Sequence, residues 1–206
     1  MTKCPFLLIK DFISPLECEN IISTFNGHFP DFDKDDNDLK TILKNPLYQK
    51  RIWEKLSDYF DYIENYYSME IESLSPMNIE WYPERCVQEQ LRCENSQYIA
   101  KQWRIVNDFD FVVLIFLKDL NEARDFDDEF ECYGGKLELP NHNFGINPKR
   151  GTAAIFPANQ YFLNRTQSPK FGDMFQMRLH ISCTKRFKYS PTDYEGNYTI
   201  WFKNLT

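Results

Sequence analysis

The second half of the sequence is a succession of short apolar segments separated by turn residues, and this feature constrains the fold most strongly. Residues 110–117 are a nearly continuous run of β-branched and aromatic side chains, which predicts a central strand buried on both faces. Residues 136–139 and 175–182 alternate between apolar and polar side chains, as half-buried strands do. Further strands are predicted at residues 78–82, 86–93 and 153–156, with turns at Gly134-Gly135, Asn147-Pro148, Gly151 and Gly172. The pattern predicts an antiparallel sandwich or barrel.

The first part of the chain is predicted to carry helices that back these strands. An apolar strand over residues 5–13 is followed by Ser14-Pro15-Leu16-Glu17. In this helix start, Ser14 can cap, Pro15 suits the first helical position and Glu17 completes a capping box. The helix is predicted to end near Gly27, and a second, amphipathic helix to span residues 46–67.

These elements together predict one α+β domain over residues 1–206. Residues 1–77 would supply the first strand and the supporting helices, and residues 78–206 the barrel core. The acidic segments 31–38 and 119–131 are predicted to be solvated loops.

Composition and charge limit the functions open to the chain. Its residues are 42% hydrophobic and 17% aromatic, which is typical of a folded globular domain. The formal net charge of -7 argues against a general nucleic-acid-binding surface, which needs a basic stripe. No apolar segment is long enough for a signal peptide or a membrane span, so a cytoplasmic protein is predicted. The cysteines lack zinc-binding spacing and are predicted to be reduced, mostly buried thiols.

The order of motifs in the C-terminal half is specific. Tyr133-Gly134-Gly135-Lys136-Leu137-Glu138-Leu139 is followed by Asn147-Pro148-Lys149-Arg150-Gly151 and then by a strand that ends in Phe156-Pro157. This order resembles the prolyl 4-hydroxylase-type 2-oxoglutarate dioxygenases, which show a GG-x-L strand, a P-x-x-G turn and a strand ending in F-P. Upstream, residues 116–121 resemble that family's YLN-type strand end, and residues 5–22 resemble its N-terminal opening. The resemblance implies a double-stranded β-helix, a jelly-roll or cupin-like barrel, backed by the N-terminal helices.

The chemistry of that family requires Fe(II) held by an HxD motif and a distal His, with positions left open for 2-oxoglutarate and oxygen. On the resemblance, the HxD positions fall on Lys101 and Trp103, and the distal His falls on Asn164. Lys101 is a cation, and Trp103 offers no donor atom to a metal. The loss does not depend on the alignment, because no histidine precedes an acid by two residues; the histidines are His28, His142 and His180. The sequence therefore assigns no metal ligand and no catalytic residue.

Arg178 is the candidate residue for the anion-binding end of the site, away from the metal. It lies near the position where the family binds the far carboxylate of 2-oxoglutarate, and His180 shares its face of the strand. If that face looks into the barrel, the two side chains form a cationic floor for a carboxylate or a phosphate. In the competing interpretation, Arg178 pairs with an internal acid such as Glu138, and His180 is a satisfied core histidine. The candidate ligand-binding residues are Arg178, His180, Lys101, Asn164 and Trp103.

Two functions of different classes follow from these residues. The first is a catalytically silent dioxygenase-like domain without a cofactor, used as a binding or structural module for protein partners or within a larger assembly. The alternative is an active hydroxylase that acts on a protein side chain or a nucleobase. It would use Fe(II) and 2-oxoglutarate, with atypical metal ligands such as Asp108 or Asp110 with His180.

Composition also suggests an origin. The sequence is rich in Asn, Asp, Lys, Ile, Phe and Tyr, as an AT-rich genome would encode. Dioxygenase-like proteins of the resembled type are familiar in bacteriophages. These two observations predict a bacteriophage protein, located in the host cytoplasm or in the virion.

Overall fold

The computed structural model describes residues 4–25, 41–43, 46–121 and 131–186. Within these ranges lie three α-helices, α1 (Pro15–Phe25), α2 (Pro46–Ser57) and α3 (Phe60–Tyr67). The strands of the same ranges are β1 (Leu7–Ile9), β2 (Thr41–Leu43), β3 (Ile71–Leu74), β4 (Asn78–Tyr82), β5 (Ser96–Ile99), β6 (Gln102–Ile105), β7 (Phe111–Phe116), β8 (Asp119–Leu120), β9 (Glu131–Gly134), β10 (Leu137–Leu139), β11 (Phe144–Ile146), β12 (Ala153–Pro157), β13 (Arg165–Thr166), β14 (Pro169–Phe171) and β15 (Met174–Cys183). The acidic segment 31–38 and residues 122–130 of the second acidic segment lie outside the described residues. The ends of the second segment form strands instead of the predicted loop, since Asp119–Leu120 is β8 and Glu131 begins β9.

The main sheet is antiparallel and has the strand order β1-β12-β7-β15-β4-β2, with β3 also paired to β15. Its centre is β7, in which all six residues from Phe111 to Phe116 are buried. The prediction of a central strand over residues 110–117 is thus confirmed. Shorter strands form two three-stranded sheets, β11-β10-β13 and β14-β9-β8, on the other side of the barrel.

Two apolar layers lie on the two faces of the main sheet, because successive side chains of a strand point to opposite faces. On β7, Phe111, Val113 and Ile115 pack with the helices, whereas Val112, Leu114 and Phe116 pack inside the barrel. On β15, Phe175, Met177, Leu179 and Ile181 belong to the helix-side layer. The alternate positions from Met174 to His180 therefore face the barrel interior, and all but Met174 are polar: Gln176, Arg178 and His180.

The helix start predicted at Ser14 is present. The Ser14 backbone N–H donates to Glu17 Oε2 at 2.7 Å, and the Glu17 N–H donates to Ser14 Oγ at 3.2 Å, which is a complete capping box. Although partial burial opposes ionisation, the hydrogen bonds from Ser14 and the contact with Lys55 lower the pKa of Glu17 to about 2. The ionised Glu17 also binds Arg51 and so ties α1 to α2.

Two predicted elements differ from the structure. The helix predicted over residues 46–67 is divided into α2 and α3, with Ser57 Oγ bonded to the Glu54 carbonyl at the break. Such a side-chain bond competes with helix continuation. The strand predicted over residues 86–93 is irregular apart from one bridge at Arg92. There Gln88 and Glu89 bind the backbone of residues 166 and 168 with their side chains, in place of ladder hydrogen bonds.

A hairpin that the sequence pattern did not predict is formed by β5 and β6, which pair only with each other within the described chain. Ala100 and Lys101 form its turn, with φ values of 51° and 65°. Residues 97–102 and 104–106 are exposed, so both faces of the hairpin meet solvent. The hairpin therefore stands apart from the packed layers.

The cysteines are predicted to be reduced, mostly buried thiols. All six cysteines are free thiols; Cys18, Cys132 and Cys183 are buried, and only Cys4 is exposed. Burial raises the pKa of Cys18, Cys132 and Cys183 to about 12, which keeps these thiols protonated.

Among the described residues, no helix has the length and apolar character needed to cross a membrane.

Candidate functional site: a buried ion-pair network

Arg178 lies on the interior face of β15 and places its guanidinium inside the barrel. Its side chain is 2% exposed and its Nε donates to Glu80 Oε1 at 2.9 Å. Its Nη1 donates to Glu94 Oε1 at 2.7 Å. Glu80 comes from β4, which pairs directly with β15, and its side chain is also 2% exposed. Arg178 is thus held between two carboxylates, neither of which is Glu138; that residue instead binds Arg165.

Arg92 brings a second guanidinium to the same carboxylates. Its Nε lies 2.9 Å from Glu94 Oε1, its Nη2 3.4 Å from Glu80 Oε2 and its Nη1 3.1 Å from Glu89 Oε1. Three carboxylates and two guanidiniums therefore share one partly enclosed volume. We refer to Glu80, Glu89, Arg92, Glu94 and Arg178 as the ion-pair network.

The ionisation of Glu94 follows from these contacts. Burial by itself raises the pKa of a carboxyl group, but the charges of Arg178 and Arg92 act in the opposite direction. The two cations prevail, with a smaller contribution from His180, and hold the pKa of Glu94 well below its ordinary value. Burial, together with the charges of Glu80 and Glu89, also raises the pKa of Tyr82 well above its ordinary value. Tyr82 is therefore a neutral donor, which binds both carboxylates through its hydroxyl.

His180 lies at the edge of the ion-pair network. Its Nε2 is 3.3 Å from Glu94 Oε2 and its Nδ1 is 3.3 Å from Ser75 Oγ. Its ring stacks on Phe109 with 4.2 Å between centroids. Both ring nitrogens and one face of the ring thus have partners, which agrees with the interpretation of a satisfied core histidine.

Asn164 lies opposite Arg92. The two residues form an isolated antiparallel bridge, with the Arg92 N–H bonded to the Asn164 carbonyl and the Asn164 N–H bonded to the Arg92 carbonyl, both at 3.0 Å. The Asn164 side chain is fully buried, and its amide donates to the Phe162 carbonyl at 3.2 Å. The structure therefore brings Asn164 into the same region as Arg178 and His180, through Arg92 and Glu94.

Lys101 and Trp103 have other surroundings in the described part of the chain, and their assignment to the same site stays a prediction. Lys101 is exposed in the turn of the β5–β6 hairpin, and Trp103 packs on Tyr98 with 5.5 Å between ring centroids. The residues that sequence reasoning missed are Glu80, Glu89, Arg92 and Glu94. For Arg92 and Glu94 the sequence signal was the basic-x-acidic spacing of Arg92-Cys93-Glu94.

The donor set does not suit Fe(II). The carboxylates of the ion-pair network are bound to guanidiniums, and among the described residues no group of three or more His, Cys, Asp and Glu side chains could hold a metal ion. The atypical ligands considered above have other partners: Asp110 Oδ2 accepts from the Cys183 N–H at 2.9 Å, and Asp108 pairs with Arg186. Binding of a carboxylate or phosphate by Arg178 and His180 stays a prediction. A bidentate anion would have to compete with Glu80 or Glu94, because only Nη2 of Arg178 lacks a hydrogen-bond partner.

The fold is the α+β double-stranded β-helix found in prolyl 4-hydroxylase-type 2-oxoglutarate dioxygenases, which confirms the fold that the motifs indicated. The solved structures similar to this chain include a viral collagen prolyl hydroxylase of Paramecium bursaria Chlorella virus-1 in complex with 2-oxoglutarate. It is 15% identical and has a TM-score of 0.62, over 88% of this chain and 97% of that chain.

Two further structures extend the likeness. A Trichoplax adhaerens prolyl hydroxylase, solved with a peptide fragment of hypoxia inducible factor, is 12% identical with a TM-score of 0.57, over 86% of this chain and 83% of that chain. A Pseudomonas putida prolyl-4-hydroxylase is 10% identical with a TM-score of 0.53, over 87% of this chain and 92% of that chain. No protein-family profile and no curated protein matches the sequence. At these identities the likeness is one of fold.

Proposed function

We propose that this chain is a catalytically silent domain on the dioxygenase fold, which serves as a protein-binding or structural module. The observation that supports the proposal is the pairing of Arg178 with Glu80 and Glu94 inside the barrel. A dioxygenase needs metal donors and a basic residue that is free to bind 2-oxoglutarate. Here the acids and the basic residue bind one another.

The energetics of the ion-pair network support the same conclusion. For a dicarboxylate to bind Arg178 bidentately, Glu80 or Glu94 would have to give up its hydrogen bond, because Nε and Nη1 are already engaged and Nη2 alone lacks a hydrogen-bond partner. Removing one partner of a buried ion pair costs about 3–5 kcal/mol. That cost would be subtracted from any binding energy the incoming anion gained from the guanidinium.

The β5–β6 hairpin supports the binding role. It exposes Tyr98 (37%), Ile99 (41%), Ile105 (57%) and the adjoining Val106 (43%) in one short stretch of chain. Residues 96–106 include Lys101 and Arg104 but no acid, although the chain as a whole has a formal net charge of -7. Exposed apolar side chains grouped in this way are typical of protein-interaction sites. The basic residues favour an acidic partner surface.

The silent state is tested with Fe(II) and 2-oxoglutarate. We expect protein reconstituted anaerobically with Fe(II) and then desalted to retain no stoichiometric iron, and to release no succinate from 2-oxoglutarate in air. The Pseudomonas putida prolyl-4-hydroxylase, treated in parallel, is the matched positive control. Stoichiometric iron together with succinate release would establish the alternative, a hydroxylase with atypical metal ligands.

The binding role is tested with a photocrosslinking residue, benzoylphenylalanine, placed at Tyr98 in the full chain. In cells of the native host we expect one discrete protein adduct from position 98. The control is the same residue at Tyr62 on α3, which is 53% exposed but lies outside the hairpin. Identification of the adduct by mass spectrometry also tests the proposed virion or assembly role, which a structural protein of the same phage would support. Equal labelling from both positions, or none from either, contradicts a role for the hairpin.

A further inference from the structure

We propose that Arg92, Glu94 and Asn164 occupy the three positions from which this barrel would hold a metal, and that the Arg92 guanidinium supplies the positive charge in its place. This inference rests on the proposed function and deepens it, because it says what replaced the metal. It also predicts that three substitutions suffice to build a metal site.

The backbone geometry at Arg92 and Asn164 is the first support. These residues face each other across an antiparallel bridge in which each N–H bonds to the other's carbonyl. Directly opposed residues of this kind have Cβ atoms about 5 Å apart on the same face. Two imidazoles at these positions would therefore project into the same volume.

The position of Glu94 is the second support. It lies two residues after Arg92, and its carboxylate returns to within 2.9 Å of the Arg92 Nε and 2.7 Å of the Arg178 Nη1. The Glu94 side chain thus points into the volume that residues 92 and 164 face. Two imidazoles and one carboxylate on a common face are the arrangement that holds Fe(II) with open coordination positions.

The charge balance gives the third support. Glu80, Glu89 and Glu94 converge on this volume, and a carboxylate in a partly desolvated site needs a cation. Arg92 contacts all three carboxylates at once. A planar guanidinium with five donors can serve several carboxylates from one position, which an ammonium cannot do equally well. In this respect Arg92 performs the charge-neutralising role of a bound cation.

The test is the full chain with Arg92→His, Glu94→Asp and Asn164→His together, probed with Co(II) alone. We expect one equivalent of Co(II) to bind with visible d–d absorption, at least roughly tenfold tighter than to the wild-type chain. We also expect Co(II) to raise the unfolding temperature of the triple variant and to leave that of the wild type unchanged. Neither measurement depends on activity.

The matched control is Lys101→His, Trp103→Asp and Asn164→His, which places the same ligand types on the positions that the sequence spacing had indicated. It should bind Co(II) no more tightly than the wild type does. If the Arg92-based variant is unfolded without metal, it is refolded with and without Co(II); recovery only with Co(II) supports the proposal. A folded variant that binds no Co(II), or one that stays unfolded with Co(II), overturns it.

The two proposals fail in different experiments. Iron and succinate release in the wild-type chain would remove the proposed function whatever the triple variant does. Absence of Co(II) binding in the triple variant, with an inactive wild type, would leave the proposed function standing and remove only the assignment of these three positions.

Discussion

Replacing Arg178 by Met is expected to lower the free energy of unfolding by about 3–5 kcal/mol, measured by urea unfolding followed by circular dichroism at pH 7. Methionine keeps much of the length of the side chain, so the change removes the charge with little loss of volume. Glu80, whose side chain is 2% exposed, then keeps only the longer 3.4 Å contact with Arg92 among its guanidinium partners in the ion-pair network. A buried carboxylate left with incomplete compensation is the source of the loss.

The matched control is Arg165→Met, which breaks an ion pair of similar length, 2.7 Å to Glu138, in a more exposed position. The side chains of that pair are 32% and 26% exposed, so solvent screens the interaction and we expect a loss of about 1 kcal/mol or less. In a double-variant cycle, Glu80→Gln should reduce the cost of Arg178→Met, because the unpaired charge is then absent. Equal losses for Arg178→Met and Arg165→Met would show that burial does not increase the contribution of the Arg178 ion pairs to the free energy of unfolding.

Gly151→Ala is expected to be the most damaging single-methyl change, with a loss of about 2–4 kcal/mol in the same urea measurement. Gly151 has a φ of +80° in the turn before β12, where a residue with a Cβ is strained. A Cβ there would also lie 2.2 Å from the Ile13 carbonyl oxygen. That oxygen is backbone, and the Ile13 N–H is itself bonded to the Gly151 carbonyl, so the two segments cannot separate without losing a hydrogen bond.

Gly145→Ala is the control for this prediction. A Cβ at Gly145 would come 2.3 Å from Lys136 Cε, a contact as short as the one at Gly151. Lys136 is a flexible side chain that can move aside, and Gly145 does not have a positive φ, so we expect a loss below about 1 kcal/mol. A loss at Gly145 that matched the loss at Gly151 would mean that close contact alone, and not the rigid backbone oxygen or the φ angle, sets the cost.

Much of the fold could be predicted from the sequence because its information is local. The buried strand β7, the capping box at Ser14 and the turn at Gly151 each depend on side chains close together in the chain. The order of such elements was enough to indicate the double-stranded β-helix. Segments whose hydrogen bonds come from distant side chains could not be predicted in this way. Residues 86–93, where Gln88 and Glu89 bind the backbone of residues 166 and 168, are the clearest case.

For the candidate site, too, some features follow from the sequence and others only from the tertiary structure. The sequence by itself determined that no HxD motif exists, because the positions of three histidines do not depend on any alignment. Only the tertiary structure decided which charged side chains meet inside the barrel. Glu80, Arg178 and the neighbouring residues Arg92 and Glu94 come from three separate segments. Their pairing depends on the register between β4 and β15 and on the bridge between Arg92 and Asn164. Charges that are far apart in sequence reveal a buried ion-pair network only when the strands that carry them are aligned.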